Sequence, residues 1–274
     1  MRVHVVSDVH GNAEGLARAG DGADVLLVLG DLVDFVDYQH PERGILGSVL
    51  GPDVSARFGE IRTRGGPGEL RAFARRAWEA VPDPVSVVAE AVRAQYDALF
   101  GALAGGPPVY AIPGNVDLAA LWPEYTVTEH TGPAGTGGAV TAADGRVLTI
   151  GGVRFGFVGG APLPPGVGPR DGGPWKPNLL RAEDYAARVA ALRDVEVLCS
   201  HVPPAVPELA YDVVSRRPEA ASRDLLDVVR RDRPHAALFG HVHQPLAARV
   251  RVGRTECVNV GHFRRTGVPY VLVL

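Results

Sequence analysis

Two stretches decide the fold: Val3-His4-Val5-Val6-Ser7-Asp8-Val9-His10, and Val25-Leu26-Leu27-Val28-Leu29-Gly30-Asp31. Each is a short run rich in branched apolar residues that ends on an aspartate, the pattern of a buried strand that stops at a polar edge. Between them, about Ala13 to Ala19, the chain reads as a helix. A strand, a helix and a second strand make a βαβ unit, whose strands run parallel and finish on the same side. Ligands of open α/β sheets bind outside the carboxyl ends of the strands. Asp8, His10 and Asp31 are therefore expected to converge.

The same reading repeats downstream. A strand over Val109-Tyr110-Ala111-Ile112 delivers Gly114-Asn115-Val116-Asp117, a strand from Val195 to Cys199 terminates at His201, and Ala236-Ala237-Leu238-Phe239 runs into Gly240-His241-Val242-His243. The collected residues Asp8, His10, Asp31, Asn115, His201, His241 and His243 offer carboxylate, amide and imidazole donors without thiolate. That chemistry suits Mn²⁺, Fe or Zn²⁺ better than a structural zinc knot. No Ser-His-Asp or reactive-cysteine arrangement competes with it.

Around these blocks, Tyr38 to Gly68 is punctuated by Gly51-Pro52 and Gly65-Gly66-Pro67-Gly68 and reads as a long loop or insertion beside the site. A helix is expected from about Glu69 to Ala80. After Pro82-Asp83-Pro84 a second helix follows, with Val85, Val88, Val92, Tyr96, Leu99 and Leu103 on one face toward the core. Thr131 to Gly138 is Gly-rich and reads as a surface loop. Gly151-Gly152 between Val147–Ile150 and Val153–Val158 signals a hairpin. Pro162 to Pro177, with Arg170, Asp171, Trp175 and Lys176, is expected to be an irregular loop near the substrate. Helices are expected over Ala182–Leu192 and Glu219–Arg231, and strands over Ala248–Val252, Glu256–Val260 and Tyr270–Leu274. Dividing the chain would split the ligand set, so residues 1–274 are read as one domain with a loop or helical insertion at about 38–106.

Twenty-eight basic against 31 acidic residues leave a net charge of −3, so no global field marks a nucleic-acid or membrane binder. All basic residues but Lys176 are arginine, read either as phosphate recognition or as codon bias. The amino-terminal run is broken by His4 and Asp8 before a signal-peptide core forms, and no long apolar run is present. A cytoplasmic location without a membrane span is expected. The two cysteines, Cys199 and Cys257, lie in strand-like runs and are expected to be buried thiols.

With its five blocks in this order, the chain resembles the calcineurin-like metallophosphoesterase superfamily, whose pattern is Asp-x-His, Gly-Asp-x-x-Asp, Gly-Asn-His-Asp/Glu, His and Gly-His-x-His. The resemblance implies an α/β fold, a four-layer α-β-β-α sandwich of two mixed β-sheets flanked by helices. It also implies two divalent metal ions, Mn²⁺ first with Fe, Zn²⁺ or Ni²⁺ as alternatives, and hydrolysis of a small phosphomonoester or phosphodiester by a metal-bridging hydroxide. By that resemblance Asp8, His10, Asp31 and His243 hold one ion, and Asp31, Asn115, His201 and His241 the other. Asp31 bridges, and both Asp31 and Asn115 act in catalysis. A scaffold that keeps the fold for protein partners is the alternative.

One position departs from the family pattern: Val116 stands where a histidine is usual, and valine transfers no proton. Either the leaving group needs little protonation, as in aryl phosphates, or another acid serves, with His262 in Asn259-Val260-Gly261-His262 as the candidate. Asp34 and Asp117 read either as groups orienting a ligand or as helix caps. Arg264 and Arg265 read either as phosphate contacts near His262 or as solvated turn residues. His4, His40, His130 and His235 match no block and read as surface or strand histidines. Oligomeric state has no sequence signature here.

Overall fold

Every strand-like run that ends on a candidate ligand folds as a parallel strand. The computed structural model of the chain describes residues 1–64, 67–128, 139–169 and 173–274. One sheet contains β1 (Arg2–Val6), β2 (Val25–Val28), β3 (Val109–Ala111), β4 (Thr126–Val127), β5 (Val140–Ala142) and β16 (Tyr270–Val273), in the order β16-β1-β2-β3-β5-β4. The other contains β6 (Val147–Ile150), β7 (Val153–Val158), β10 (Val197–Ser200), β13 (Ala236–Phe239), β14 (Arg249–Val252) and β15 (Thr255–Asn259), in the order β14-β15-β13-β10-β7-β6. Two short ladders, β8 (Ala161–Pro162) with β9 (Leu179–Leu180) and β11 (Tyr211–Asp212) with β12 (Arg217–Pro218), lie outside them.

Both sheets are mixed, with a parallel centre. Val3 pairs with Val25 and Leu26 with Val109 in parallel register, and only β16 runs antiparallel in the first sheet. In the second, β7, β10, β13 and β15 are parallel, with antiparallel β6 and β14 at the edges.

Alternation along the strands sorts the core into three layers. Val3, Val5, Leu27, Phe155, Phe157, Val197 and Leu238 fill the space between the sheets. Val6, Leu26 and Val28 face the other way and meet Val88, Val92, Tyr96 and Leu99 of the helix Pro84–Ala102. On the far side, Leu198, Ala237 and Phe239 pack on Tyr185 and Val189 of the helix Ala182–Ala191 and on Leu225, Val228 and Val229 of the helix Arg223–Asp232. The result is the four-layer sandwich of two mixed sheets flanked by helices. His4 is buried in this packing with Nδ1 against the Ala19 carbonyl (2.8 Å), a structural strand histidine.

The helices are α1 (Ala13–Leu16), α2 (Gly44–Leu50), α3 (Pro52–Arg64), α4 (Pro67–Glu79), α5 (Pro84–Ala102), α6 (Ala182–Ala191), α7 (Pro207–Ala210), α8 (Arg223–Asp232) and α9 (Phe263–Thr266). The expected loop over 38–68 is thus largely helical. Gly51-Pro52 marks a junction, because Gly51 (φ 88°) closes α2 and Pro52 occupies the first position of α3, where its missing N–H is harmless. In α5, Asp83 caps the Ser86 N–H, and the apolar face is buried except for Val85, which is 56% exposed. Helix α8 begins four residues later than expected, where the Ser222 side chain caps the Leu225 N–H at 3.2 Å. The Gly151-Gly152 turn adopts φ 57° and 83°, as a two-residue hairpin demands. Thr131–Gly138, His130, Arg170 and Asp171 lie outside the described residues. Among those described, no helix is long and apolar enough to cross a membrane.

Candidate metal centre

The carboxyl ends of β1, β2, β3, β10, β13 and β15 lead to Asp8, Asp31, Asn115, His201, His241 and His262 respectively. At these exits the backbone turns sharply. Asp8, His10, Asp31 and His241 all have positive φ, of 57°, 40°, 53° and 68°. A non-glycine residue in that region costs about 1–2 kcal/mol, and such strain clusters where surrounding structure over-determines a site. The glycines of the motifs serve close approach instead: a β-carbon on Gly30 would collide with the Gly114 backbone, and one on Gly240 with Ser7 and the Asp8 carboxylate.

The structure brings the seven candidate ligands together. Both Asp8 oxygens accept the His241 N–H (3.2 and 3.0 Å), and His243 Nε2 stands 3.5 Å from Asp8 Oδ1. His10 Nε2 is 3.2 Å from His243 Nε2 and 3.9 Å from Asp31 Oδ2. On the other side of the same carboxylate, Asp31 Oδ1 accepts the Val116 N–H at 2.9 Å and lies 3.4 Å from His201 Nε2. His201 Nε2 is 2.9 Å from Asn115 Oδ1. Three groups of side chains can therefore each close on one ion: Asp8, His10 and Asp31; Asp31, His201 and His241; and His10, His243 and His262. Asp31 belongs to two of them.

Backbone carbonyls set the imidazoles. His10 Nδ1 donates to the Val33 carbonyl (3.1 Å) and His201 Nδ1 to the Leu29 carbonyl (2.8 Å), which leaves each Nε2 to face the site, with a lone pair in the neutral ring. His201 Nε2 then faces Asn115 Oδ1, and His10 Nε2 faces His243 Nε2. Acceptors so close repel unless a proton or a cation stands between them. His241 Nε2 is buried and has no hydrogen-bond partner among the described residues, and neither ring nitrogen of His262 has one. Orphaned buried imidazole nitrogens are rare in a finished hydrogen-bond network. A divalent first-row cation fits this donor set.

Without a cation, the carboxylates and imidazoles set one another's charge. Burial works to raise Asp31, but the His201 imidazole, with His10 behind it, holds the carboxyl down at about 2. His201, against the effect of burial, is lifted by Asp31 to about 9. Burial likewise opposes ionisation of Asp8, yet His243, His201 and His10 keep it well below the carboxylate range. Desolvation drives His241 down to about 4, with His201 adding repulsion, and drives His262 to about 3, with His243 adding repulsion.

Asp117 is fully buried and accepts backbone N–H groups from Leu32 (3.1 Å), Val33 (3.2 Å) and Gly114 (2.7 Å), together with the Tyr96 hydroxyl (3.2 Å). It ties the turn after Asp31 to the turn before Asn115 and caps no helix. Burial, aided by Asp31, pushes it up to about 6. Asp34 accepts from Arg264 at 2.8 Å, and Asp37 pairs with the same guanidinium. The charge of Arg264 is thus already spent on two carboxylates, which weakens its reading as a free phosphate contact. Arg264 borders a cavity of about 550 Å³ beside His10, lined also by Asn12, Asp34, Arg43 and Gln95. Arg265, next in the chain, is exposed.

Three supporting residues come from outside the five blocks. The Trp175 indole N–H donates to the Val116 carbonyl (3.1 Å) while its ring stacks on Phe35 at 4.0 Å, and the Asn178 N–H donates to the Asn115 carbonyl at 2.9 Å. Asp212 accepts the Gln244 N–H at 3.0 Å, one residue beyond His243. Only the Pro/Gly composition of the 162–177 loop hinted at the first of these.

Residues 1–245 match the calcineurin-like phosphoesterase family. The chain belongs to that family. Family membership and the histidine–aspartate groups together support metal-dependent phosphoester hydrolysis as the general chemistry. Among solved structures, TT1561 of Thermus thermophilus is 14% identical, with a TM-score of 0.53 over 99% of this chain and 97% of that one. A second structure is 14% identical, with a TM-score of 0.54 over 96% and 91%. GAP50, the anchor in the inner membrane complex of Plasmodium, is 11% identical, with a TM-score of 0.41 over 95% and 71%. For the first two, at 14% identity, the likeness concerns the fold. Comparison with curated proteins found no match.

Proposed function

We propose that the chain is a binuclear phosphoesterase, with Asp8, His10, Asp31 and His243 holding one divalent cation and Asp31, Asn115, His201 and His241 the other. The observation that carries this is the place of Asp31 in two ligand-competent groups, one oxygen toward His10 and the other toward His201. When bound, such a pair lowers the pKa of water and neutralises phosphate oxygens. The protein's part is to hold the donors. The carbonyls of Val33 and Leu29 orient His10 and His201, and the Val116 N–H fixes Asp31. Asn115, anchored through its own carbonyl by Asn178, presents its amide beside His201. At Val116 there is no proton to give, and the nearby Trp175 N–H is committed to a carbonyl. That favours phosphate esters whose leaving group departs as a stable anion, aryl esters above alkyl ones.

The test is a panel of aryl and alkyl phosphomonoesters and phosphodiesters, with nucleotides and sugar phosphates, run with Mn²⁺, Zn²⁺, Fe²⁺ and Ni²⁺. Turnover should require a metal and favour aryl esters, and Asp31→Asn should abolish it with every ion. An active Asp31→Asn variant would remove the bridging role.

A further inference from the structure

His262 lies outside the five blocks, in a turn whose backbone is anchored on both sides. It follows β15, which is parallel to β13, so it leaves the sheet at the same edge as His241. Two anchors fix the turn that carries it. On one side, Asn259 donates through Nδ2 to the Val242 carbonyl (2.9 Å) and accepts the Gly261 N–H (2.9 Å). On the other, the Phe263 N–H donates to the Ser7 carbonyl (3.0 Å) and the Arg264 N–H to the Asp8 carbonyl (2.9 Å). Phe263 itself is buried in the core. The backbone that carries the imidazole is therefore fixed between the loop of His243 and the exit of β1.

The ring lies against His243, with centroids 4.0 Å apart and planes 17° apart, and meets His10 edge-on at 5.7 Å; because an imidazole binds an ion in its own plane, ligation together with His243 turns the His262 ring about its side-chain torsions out of this stack. One nitrogen from each of the three rings lies within 4.8 Å of the others. A histidine that only packed would satisfy its nitrogens with a carbonyl or hydroxyl, as His4 does with Ala19. His262 satisfies neither.

We propose that His262 is a direct ligand of the cation held by Asp8, His10, Asp31 and His243, turning that position into a three-imidazole site. This rests on the binuclear reading above and goes beyond it by making the two positions unequal. One would offer three imidazoles and two carboxylates, the other two imidazoles, an amide and the shared Asp31. Imidazole suits Co²⁺, Ni²⁺ and Zn²⁺, whereas oxygen donors suit Mn²⁺. The His262 position therefore selects a nitrogen-seeking ion over Mn²⁺.

The experiment uses the full chain stripped of metal and titrated with Co²⁺ and with Mn²⁺ without substrate, followed by calorimetry and by the visible spectrum of Co²⁺. Wild-type protein should take up two ions, with Co²⁺ preferred at the tighter site. In His262→Ala and His262→Gln, the tighter Co²⁺ affinity should fall by at least the roughly 10–100-fold that loss of an outer-shell partner costs, with a changed spectrum, while Mn²⁺ binding changes less. X-ray absorption of wild-type protein carrying one Co²⁺ should count three imidazoles, a readout that needs no variant to fold. Unchanged Co²⁺ affinity and spectrum in both variants, or two imidazoles by absorption, overturns the proposal even if turnover falls, since His262 would then be a substrate contact. Wild-type protein that binds fewer than two ions overturns the binuclear reading itself.

Discussion

Removing the Asp212 carboxylate tests whether the loop behind His243 is braced from outside the motif. Asp212 is 7% exposed, and its Oδ1 accepts the N–H groups of Val214 (2.9 Å) and Ser215 (2.8 Å) while Oδ2 accepts that of Gln244 (3.0 Å). Val214 and Ser215 are exposed, so water can replace their acceptor, and each bond contributes about 0.5 kcal/mol. Gln244 is half-buried, and stranding its N–H costs about 1–2 kcal/mol. Asp212→Ala should then destabilise the protein by about 2–3 kcal/mol, which lowers Tm by roughly 5–10 °C for a chain of this size. Asp212→Asn keeps an oxygen for Val214 and Ser215 but turns an amide N–H toward Gln244, so it should lose about 1 kcal/mol. The sign with pH follows from the carboxyl. Burial opposes its ionisation, but the N–H groups of Ser215, Gln244 and Val214 hold its pKa below 3.8. Its stabilisation is therefore present above that value and is lost as pH falls through the folded pKa. Calorimetry of metal-free protein at neutral and acid pH measures both. A loss below about 0.5 kcal/mol at neutral pH, or one undiminished once the carboxyl is protonated, would refute the brace.

Asp117 should behave in the opposite sense. Its folded pKa, about 6, lies above 3.8, so its contribution is present below 3.8 and is lost as pH rises through 6. Denaturant unfolding of metal-free protein should show wild type losing stability relative to Asp117→Asn across that range, and parallel curves would contradict it. Both cysteines are free and buried, and burial pushes Cys257 up to about 11 and Cys199 higher still. At neutral pH a thiol reagent should label neither in the native protein and both after unfolding; rapid native labelling of Cys199 would show that its strand opens.

Strand ends were legible because strand, turn and ligand are adjacent in sequence. Val25 to Asp31 states its own conformation, and the parallel pairing that joins Asp31 to Asp8 follows from the intervening helix. The helices α2 and α3 were not legible. Gly47 and Gly59 lie inside them, Gly51-Pro52 lies between them, and glycine and proline punctuate both loops and helix junctions. Their helicity is settled by tertiary contacts, as where Ile45 and Leu46 are buried beside Val92 and Tyr96 of α5. The same limit applies to the site. Asp212 and Gln244 meet across 32 residues and Trp175 and Val116 across 59, so no local pattern reports either pair.

Val116 joins these two kinds of knowledge. As a sequence feature it is an absent histidine. In the fold, its N–H holds Asp31 Oδ1, its carbonyl accepts the Trp175 indole N–H, and its side chain is partly buried against the apolar layer that contains Phe35 and Trp175. A histidine at 116 would keep the backbone bonds but bring a polar ring into that layer, where a ring nitrogen without a partner is unfavourable. Val116 is fitted for packing, and Trp175 holds its carbonyl from above. On the proposed reaction, the preference for a leaving group that needs no proton is then a property of the Val116–Trp175 pair. Restoring a histidine at 116 should recover little alkyl-ester turnover while Trp175 remains in place.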